Sequence, residues 1–180
     1  MISRRALLAL VPVSLLSLPR AATALELGAM TPVTDLDWSY LADTVMGGVS
    51  QGQARVEGGA IRLTGTVSTE NRGGFIQTRT ALPEGLPPGT TALCLRVRGN
   101  GERYFIHLRT TRTRLPWQYY RAGFETSSDW SDVALSLAGF APSGRLMRAR
   151  IAPEEVRSIG LVAYGRDHEA DVSLSEIGAA

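Results

Sequence analysis

The amino-acid sequence predicts an all-β sandwich or jelly roll in a single domain, and three observations predict it. Apolar and polar residues alternate with period 2 in run after run, the pattern of half-buried antiparallel strands. Glycine-, proline- and asparagine-rich turns separate those runs at short intervals. No repeat, linker or low-complexity tract divides the chain after its N-terminus.

The N-terminus reads as a cleavable export signal over residues 1–24. Arg4 and Arg5 form a charged start, Ala6 to Leu18 is mostly apolar, and Ala22-Thr23-Ala24 supplies the small-residue cleavage pattern. The apolar stretch is shorter than the ~20 residues that a bilayer core requires, and it contains Pro12. Ser3-Arg4-Arg5-Ala6-Leu7-Leu8 also resembles a twin-arginine signal, so the expected location is the bacterial periplasm, with the twin-arginine route as one path there. The whole chain has 19 basic and 17 acidic residues; removing three arginines and no acids leaves 16 against 17, a net charge of −1. The basic pI therefore belongs to the signal, and no nucleic-acid partner and no transmembrane span are expected of the mature chain.

Residues 25–35 read as a tether and residues 36–178 as the domain. Ile61, Leu63, Gly65 and Val67 alternate with polar neighbours, as do Leu93, Leu95 and Val97, then Tyr104, Ile106 and Leu108. Val133, Leu135 and Leu137 continue the pattern, followed by Ile159, Leu161 and Ala163, and by Val172 and Leu174. Seven or eight strands are expected. Gly99-Asn100-Gly101 reads as a tight hairpin between two of them. One helical turn is expected at Ala152-Pro153-Glu154-Glu155-Val156, where proline suits the first helical position. Cys94 alternates with apolar neighbours and reads as a half-buried strand thiol.

Catalytic and metal motifs are not found. The two histidines, His107 and His168, lie far apart; no His-x-His, Cys-x-x-Cys or Gly-x-Ser-x-Gly spacing occurs. His168 reads as a loop residue, solvated or salt-bridged. No catalytic residue, cofactor or metal site is expected. An enzymatic reading would need polar residues near Asp43–Ser50 to converge on a pocket.

Two segments fit neither periodicity. In Asp43-Thr44-Val45-Met46-Gly47-Gly48-Val49-Ser50 the glycine pair allows backbone geometry closed to other residues, or close approach of another chain; a structural bulge is the plainer reading. In Leu115-Pro116-Trp117-Gln118-Tyr119-Tyr120-Arg121, Trp117 and Tyr119 would share one strand face and Tyr120 the other. Such aromatics serve as sugar-stacking platforms, as protein hot spots or as core.

An ordered series of segments carries a family resemblance: Asp43 to Ser50, Gly65 to Ser68, Asn71-Arg72-Gly73-Gly74-Phe75, Leu95 to Gly101 and Tyr104, continued by Phe124, Trp130, Val133 to Leu135, Ser158 to Leu161 and Leu174 to Ile177. The series resembles the complex I intermediate-associated protein 30 family, the NADH:ubiquinone oxidoreductase assembly-factor domain, over about residues 36–178. The resemblance implies a galactose-binding-domain-like jelly roll and a non-enzymatic, chaperone-like role in building respiratory complex I. The sequence departs from the family in carrying an export signal, and in having Gly139-Phe140 where an Asp-Phe pair is expected.

The expected binding residues are Asp43, Met46, Gly47, Gly48, Ser50, Asn71, Gly74, Phe75, Trp117, Tyr119 and Tyr120. The expected function is that of a binding or assembly factor acting on a protein partner at the periplasmic side, such as a membrane or respiratory-complex subunit. A carbohydrate-binding module of the cell envelope, with a glycan as ligand, is the alternative.

Overall fold

The computed structural model describes residues 30–180, so the export signal expected over residues 1–24 lies outside the described residues. Among the described residues twelve strands form two antiparallel sheets. The first sheet has the order β3 (Gln51–Glu57), β4 (Ala60–Val67), β12 (His168–Ala179), β6 (Ala92–Gly99), β9 (Ser131–Ser136), with β1 (Thr31–Pro32) paired to the end of β12. The second has the order β10 (Ala141–Pro142), β8 (Tyr120–Glu125), β7 (Arg103–Thr110), β11 (Val156–Tyr164), β5 (Phe75–Ala81), β2 (Trp38–Ala42). The expected helical turn is present as a 3₁₀ turn at Pro153–Glu155, and Cys94 is a half-buried free thiol on β6.

The period-2 pattern sets the core. Leu63, Leu95, Val97, Val172 and Leu174 of the first sheet face Ile76, Ile106, Leu108, Ile159 and Leu161 of the second, and all are fully buried or nearly so. Each such side chain contributes about 1.5–3 kcal/mol through lost apolar surface. Tyr104 enters this core with its polar end satisfied: its hydroxyl donates to Asn100 Oδ1 at 2.7 Å and accepts from the Asp171 amide at 2.8 Å. Burial, chiefly, pushes that phenol up to about 12.

Three expectations are corrected. Gly99-Asn100-Gly101 is not a hairpin, because β6 and β7 lie in different sheets. Glycine and asparagine state that the chain turns, not which strand it pairs with next. Asn100 ties the crossing down by donating to the Glu169 carbonyl at 2.8 Å. Residues 31–33, expected in the tether, belong to the domain: Thr31 and Pro32 pair with Ile177 and Glu176, and Val33 is fully buried, its carbonyl accepting from the Trp38 indole at 2.9 Å. His168 opens β12 instead of lying in a loop; its Nδ1 sits 2.9 Å from the Arg166 carbonyl and its ring faces Tyr104.

Candidate functional site

The first unusual segment is organised by one carboxylate. Asp43 is completely buried at the start of a 3₁₀ turn, Asp43–Met46. Its Oδ1 accepts from the Ser50 amide at 3.0 Å; its Oδ2 accepts from the Ser50 hydroxyl and the Gly74 amide, both at 2.5 Å, and from the Phe75 amide at 3.2 Å. The Ser50 hydroxyl in turn accepts from the Ser68 amide at 3.0 Å. Residues 43–50, 68 and 71–75, separate in sequence, thus meet at a single side chain. Burial pulls this carboxyl upward, but the hydrogen bonds from Gly74, Ser50 and Phe75 outweigh it and hold it below the usual carboxylate range.

The glycines make that approach possible. Gly47 closes the turn at φ +88°, the left-handed region. Gly48 acts by size: a Cβ there would lie 2.3 Å from Asp43 Cγ, and one at Gly73 would lie 2.4 Å from Asp43 Oδ2. Asn71 and Arg72 take positive φ (54° and 62°) in the neighbouring turn. The segment is a 3₁₀ turn and not a strand bulge; Gly47 supplies backbone geometry closed to other residues, and Gly48 admits close approach, of the Asp43 side chain in the same chain and not of another chain. What the motif offers outward is its rim, where Val45 is 65% exposed and Met46 62%.

The second segment is corrected. Trp117 does not lie on a strand: β8 begins at Tyr120, and Trp117 sits in the preceding loop with 63% of its surface exposed. Arg109 holds that loop, its guanidinium donating to the carbonyls of Thr113, Leu115 and Pro116 at 3.1–3.2 Å. Tyr120 is 3% exposed and belongs to the core, so it is not a surface binding residue. Tyr119 does reach the outer face of the second sheet, where it stacks on His107 with ring centroids 4.0 Å apart and planes at 12°.

That outer face is where the second sheet collects chemistry. The strand register lays Ser39, Arg79, Gly160, His107 and Arg121 in one row across β2, β5, β11, β7 and β8. Tyr164 meets His107 and Phe105 edge-on, at centroid distances of 5.8 and 6.0 Å. Guanidiniums cover two of the rings: Arg121 lies 5.5 Å from the Tyr164 centroid and Arg103 lies 5.6 Å from that of Phe105. At one end a shallow groove of about 530 Å³ is lined by Arg103, Phe105, Arg121, Tyr164 and Arg166; at the other a groove of about 470 Å³ is lined by Arg79, Arg109 and Arg157 over Ser158. Glu102 pairs with Arg166, and Glu125 lies 3.6 Å from Arg103. Arg79 and Arg121 have no carboxylate within ion-pair distance among the described residues. Burial, and then the charge of Arg79, lowers the pKa of Arg109. The opposite sheet differs: Arg62 pairs with Glu57 and Asp171, and Arg96 with Asp132.

His107 is the strained member of this face. Its Nε2 is buried without a partner, and burial, followed by the charge of Arg121, brings its pKa down to about 3. The unfolded ring titrates near 6.5, so between that value and 3 the unfolded chain binds more protons, and stability falls as pH falls. The expected loss from His107 is roughly 2–3 kcal/mol between pH 7 and pH 4. His168, also lowered mainly by burial, acts in the same direction. Urea melts at pH 7, 5.5 and 4 check this: His107→Phe is expected to flatten the dependence, and an unchanged slope would remove His107 as its source.

A family model described as complex I intermediate-associated protein 30 matches residues 29–175. The chain belongs to this family. The Asp43 junction lies within the matched residues, and Gly48 and Gly73 there leave room for its buried acid. None of the curated proteins matches the sequence. Among solved structures, the family 11 carbohydrate-binding module from Clostridium thermocellum, in complex with a β-1,3-1,4-mixed-linked tetrasaccharide, is similar with a TM-score of 0.63 at 13% identity, covering 79% of this chain and 87% of that one. The family 11 module of the C. thermocellum cellulosomal cellulase Lic26A-Cel5E gives the same TM-score and identity over 81% and 89%. A CBM4 structure gives 0.53 at 14% identity over 79% and 86%. At these identities the likeness shows the fold: a jelly-roll, galactose-binding-like β-sandwich.

Sequence reasoning brought together Asp43, Gly47, Gly48, Ser50, Asn71, Gly74 and Phe75, with Met46 on the rim. It missed the outer-face set of Arg79, Arg103, Phe105, His107, Arg121 and Tyr164. The available signal was positional, since all of these occupy outward positions of strands whose inward neighbours are core.

Proposed function

We propose that this family member is a non-enzymatic binding module that holds a protein partner across the outer face of its second sheet, outside the cytoplasm, during assembly of an envelope or respiratory complex. The observation that carries the reading is the row from Arg79 to Arg121, a charged and aromatic surface whose two end cations lack carboxylate partners among the described residues. Unpaired arginines beside packed aromatics are the composition of protein hot spots. Membership in a family named for intermediates of complex I supports an assembly role. The Asp43 junction enters as a rigid frame, because its acid is sealed from solvent by four donors.

A glycan reading has its own support in the solved carbohydrate-binding modules and in the exposed ring of Trp117. Against it, the rings of Tyr119, Phe105 and Tyr164 are already engaged by His107, Arg103 and Arg121. In-cell cross-linking from this face, followed by mass spectrometry, tests the protein-partner reading. A glycan array with wild type and Trp117→Ala tests the other; specific signal lost in the variant would favour it.

A further inference from the structure

A different part of the molecule carries a second surface. The loop between β7 and β8 and the loop that follows β10 lie side by side at one end of the second sheet. The Ser143 hydroxyl joins them, donating to the Trp117 carbonyl at 2.7 Å and accepting from the Tyr119 amide at 3.0 Å. Three apolar side chains point outward from this tip: Leu115, Trp117 and Leu146, the last completely exposed. A cleft of about 480 Å³ between the loops is lined by Arg112, Arg114, Arg148 and Leu146. Arg145 and Arg150 are exposed on the same loop as Leu146; one carboxylate, Glu155, ion-pairs with this group, through Arg112. The net charge of the chain without its signal is −1, so this concentration of arginine is local.

We infer that this tip docks the domain on an anionic phospholipid surface. Tryptophan and leucine at loop apices enter the interfacial region of a bilayer, while flanking arginines remain among the headgroup phosphates and gain from the negative surface potential. Arginine presents a fork of donors that matches phosphate, and three arginines line the cleft between the loops, of which Arg114 and Arg148 have no carboxylate within ion-pair distance among the described residues. No helix among the described residues is long and apolar enough to cross a membrane. The contact is peripheral, and it would hold the outer face of the second sheet close to membrane-embedded partners.

Vesicle flotation tests this with residues 25–180, which contain every core residue buried among the described residues and omit the apolar stretch at 6–18. Vesicles are phosphatidylcholine alone or phosphatidylcholine with phosphatidylglycerol. Binding is expected only with phosphatidylglycerol and is expected to weaken at 0.5 M salt. Arg145→Gln/Arg148→Gln/Arg150→Gln should reduce it on the order of 100-fold, at about five-fold per arginine. Leu146→Ser with Trp117→Ser should reduce it about ten-fold or more. These exposed positions should leave the melting temperature unchanged, and Arg55→Gln/Val56→Ser on edge strand β3 should leave binding unchanged. No binding to phosphatidylglycerol vesicles at low salt overturns the inference, as does binding indifferent to the tip variants. Tip-dependent binding of a poly-glutamate peptide at comparable affinity also overturns it, making the tip a site for acidic proteins.

Discussion

Asp43→Ala is expected to destabilise the domain by about 3–4 kcal/mol, lowering the melting temperature by on the order of 10 °C. The substitution leaves three backbone amides, those of Ser50, Gly74 and Phe75, and one hydroxyl without their shared acceptor in a buried place. Asp43→Asn is expected to cost about 2 kcal/mol, because half of its amide presents donors to donors. The carboxyl is held below its unfolded value, so its contribution is fully present above about pH 4. It is lost as pH falls through the lower folded value. Denaturant melts at pH 7 measure both variants. An Asp43→Asn protein as stable as wild type would mean that this acid is kept for contact with a ligand rather than for the junction.

The glycine pair beside it gives the second large effect, and the two residues should separate cleanly. Gly47→Ala is expected to cost about 1–2 kcal/mol, the strain of a left-handed backbone with open space around the new methyl. Gly48→Ala is expected to cost about 3 kcal/mol or more, because the methyl would overlap the Asp43 carboxylate. Valine at either position should be worse. Special backbone geometry and close approach were the alternatives for the pair; the structure assigns the first to Gly47 and steric exclusion by the Asp43 side chain to Gly48. A double-mutant cycle decides between them: in an Asp43→Ala background the Gly48→Ala penalty should shrink, the contact left being that with the Cβ of residue 43 at 2.8 Å, whereas that of Gly47→Ala should persist in full. Additive penalties at Gly48 would contradict the packing account.

The strands that could be read from sequence were those with apolar inward positions. β4, β6, β7, β9, β11 and β12 each bury leucine, isoleucine or valine in the core, within runs that alternate with more exposed neighbours for at least part of their length. β5 escaped notice because two of its inward residues are Thr78 and Thr80, polar by type but buried. β3 has no buried residue at all, since it is an edge strand. At Gly99–Gly101 the local chemistry of a turn gave no information on which sheet the chain enters next.

The same contrast applies to function. The Asp43 junction could be found because its glycines, serine and acid violate both periodicities. The outer face could not, since Arg79, His107 and Arg121 obey period 2 and look like any solvated side of a strand. Only the register, which places residues 79, 107 and 121 in one row across Gly160, turns them into a surface. Tyr120 shows the converse: an aromatic chosen by composition proves to be core once β8 is placed in the sheet.

The most direct test of the central claim is site-specific photo-cross-linking in the cell. A photoreactive side chain is placed singly at Gln77 or Arg79 on the outer face of the second sheet, or at Arg55 on the exposed edge of the first as control. The proposal predicts a discrete protein adduct from positions 77 and 79, absent from 55, and lost from position 77 when Arg121→Glu is added. Adducts equally abundant from position 55, or none from either outer-face position, would contradict it.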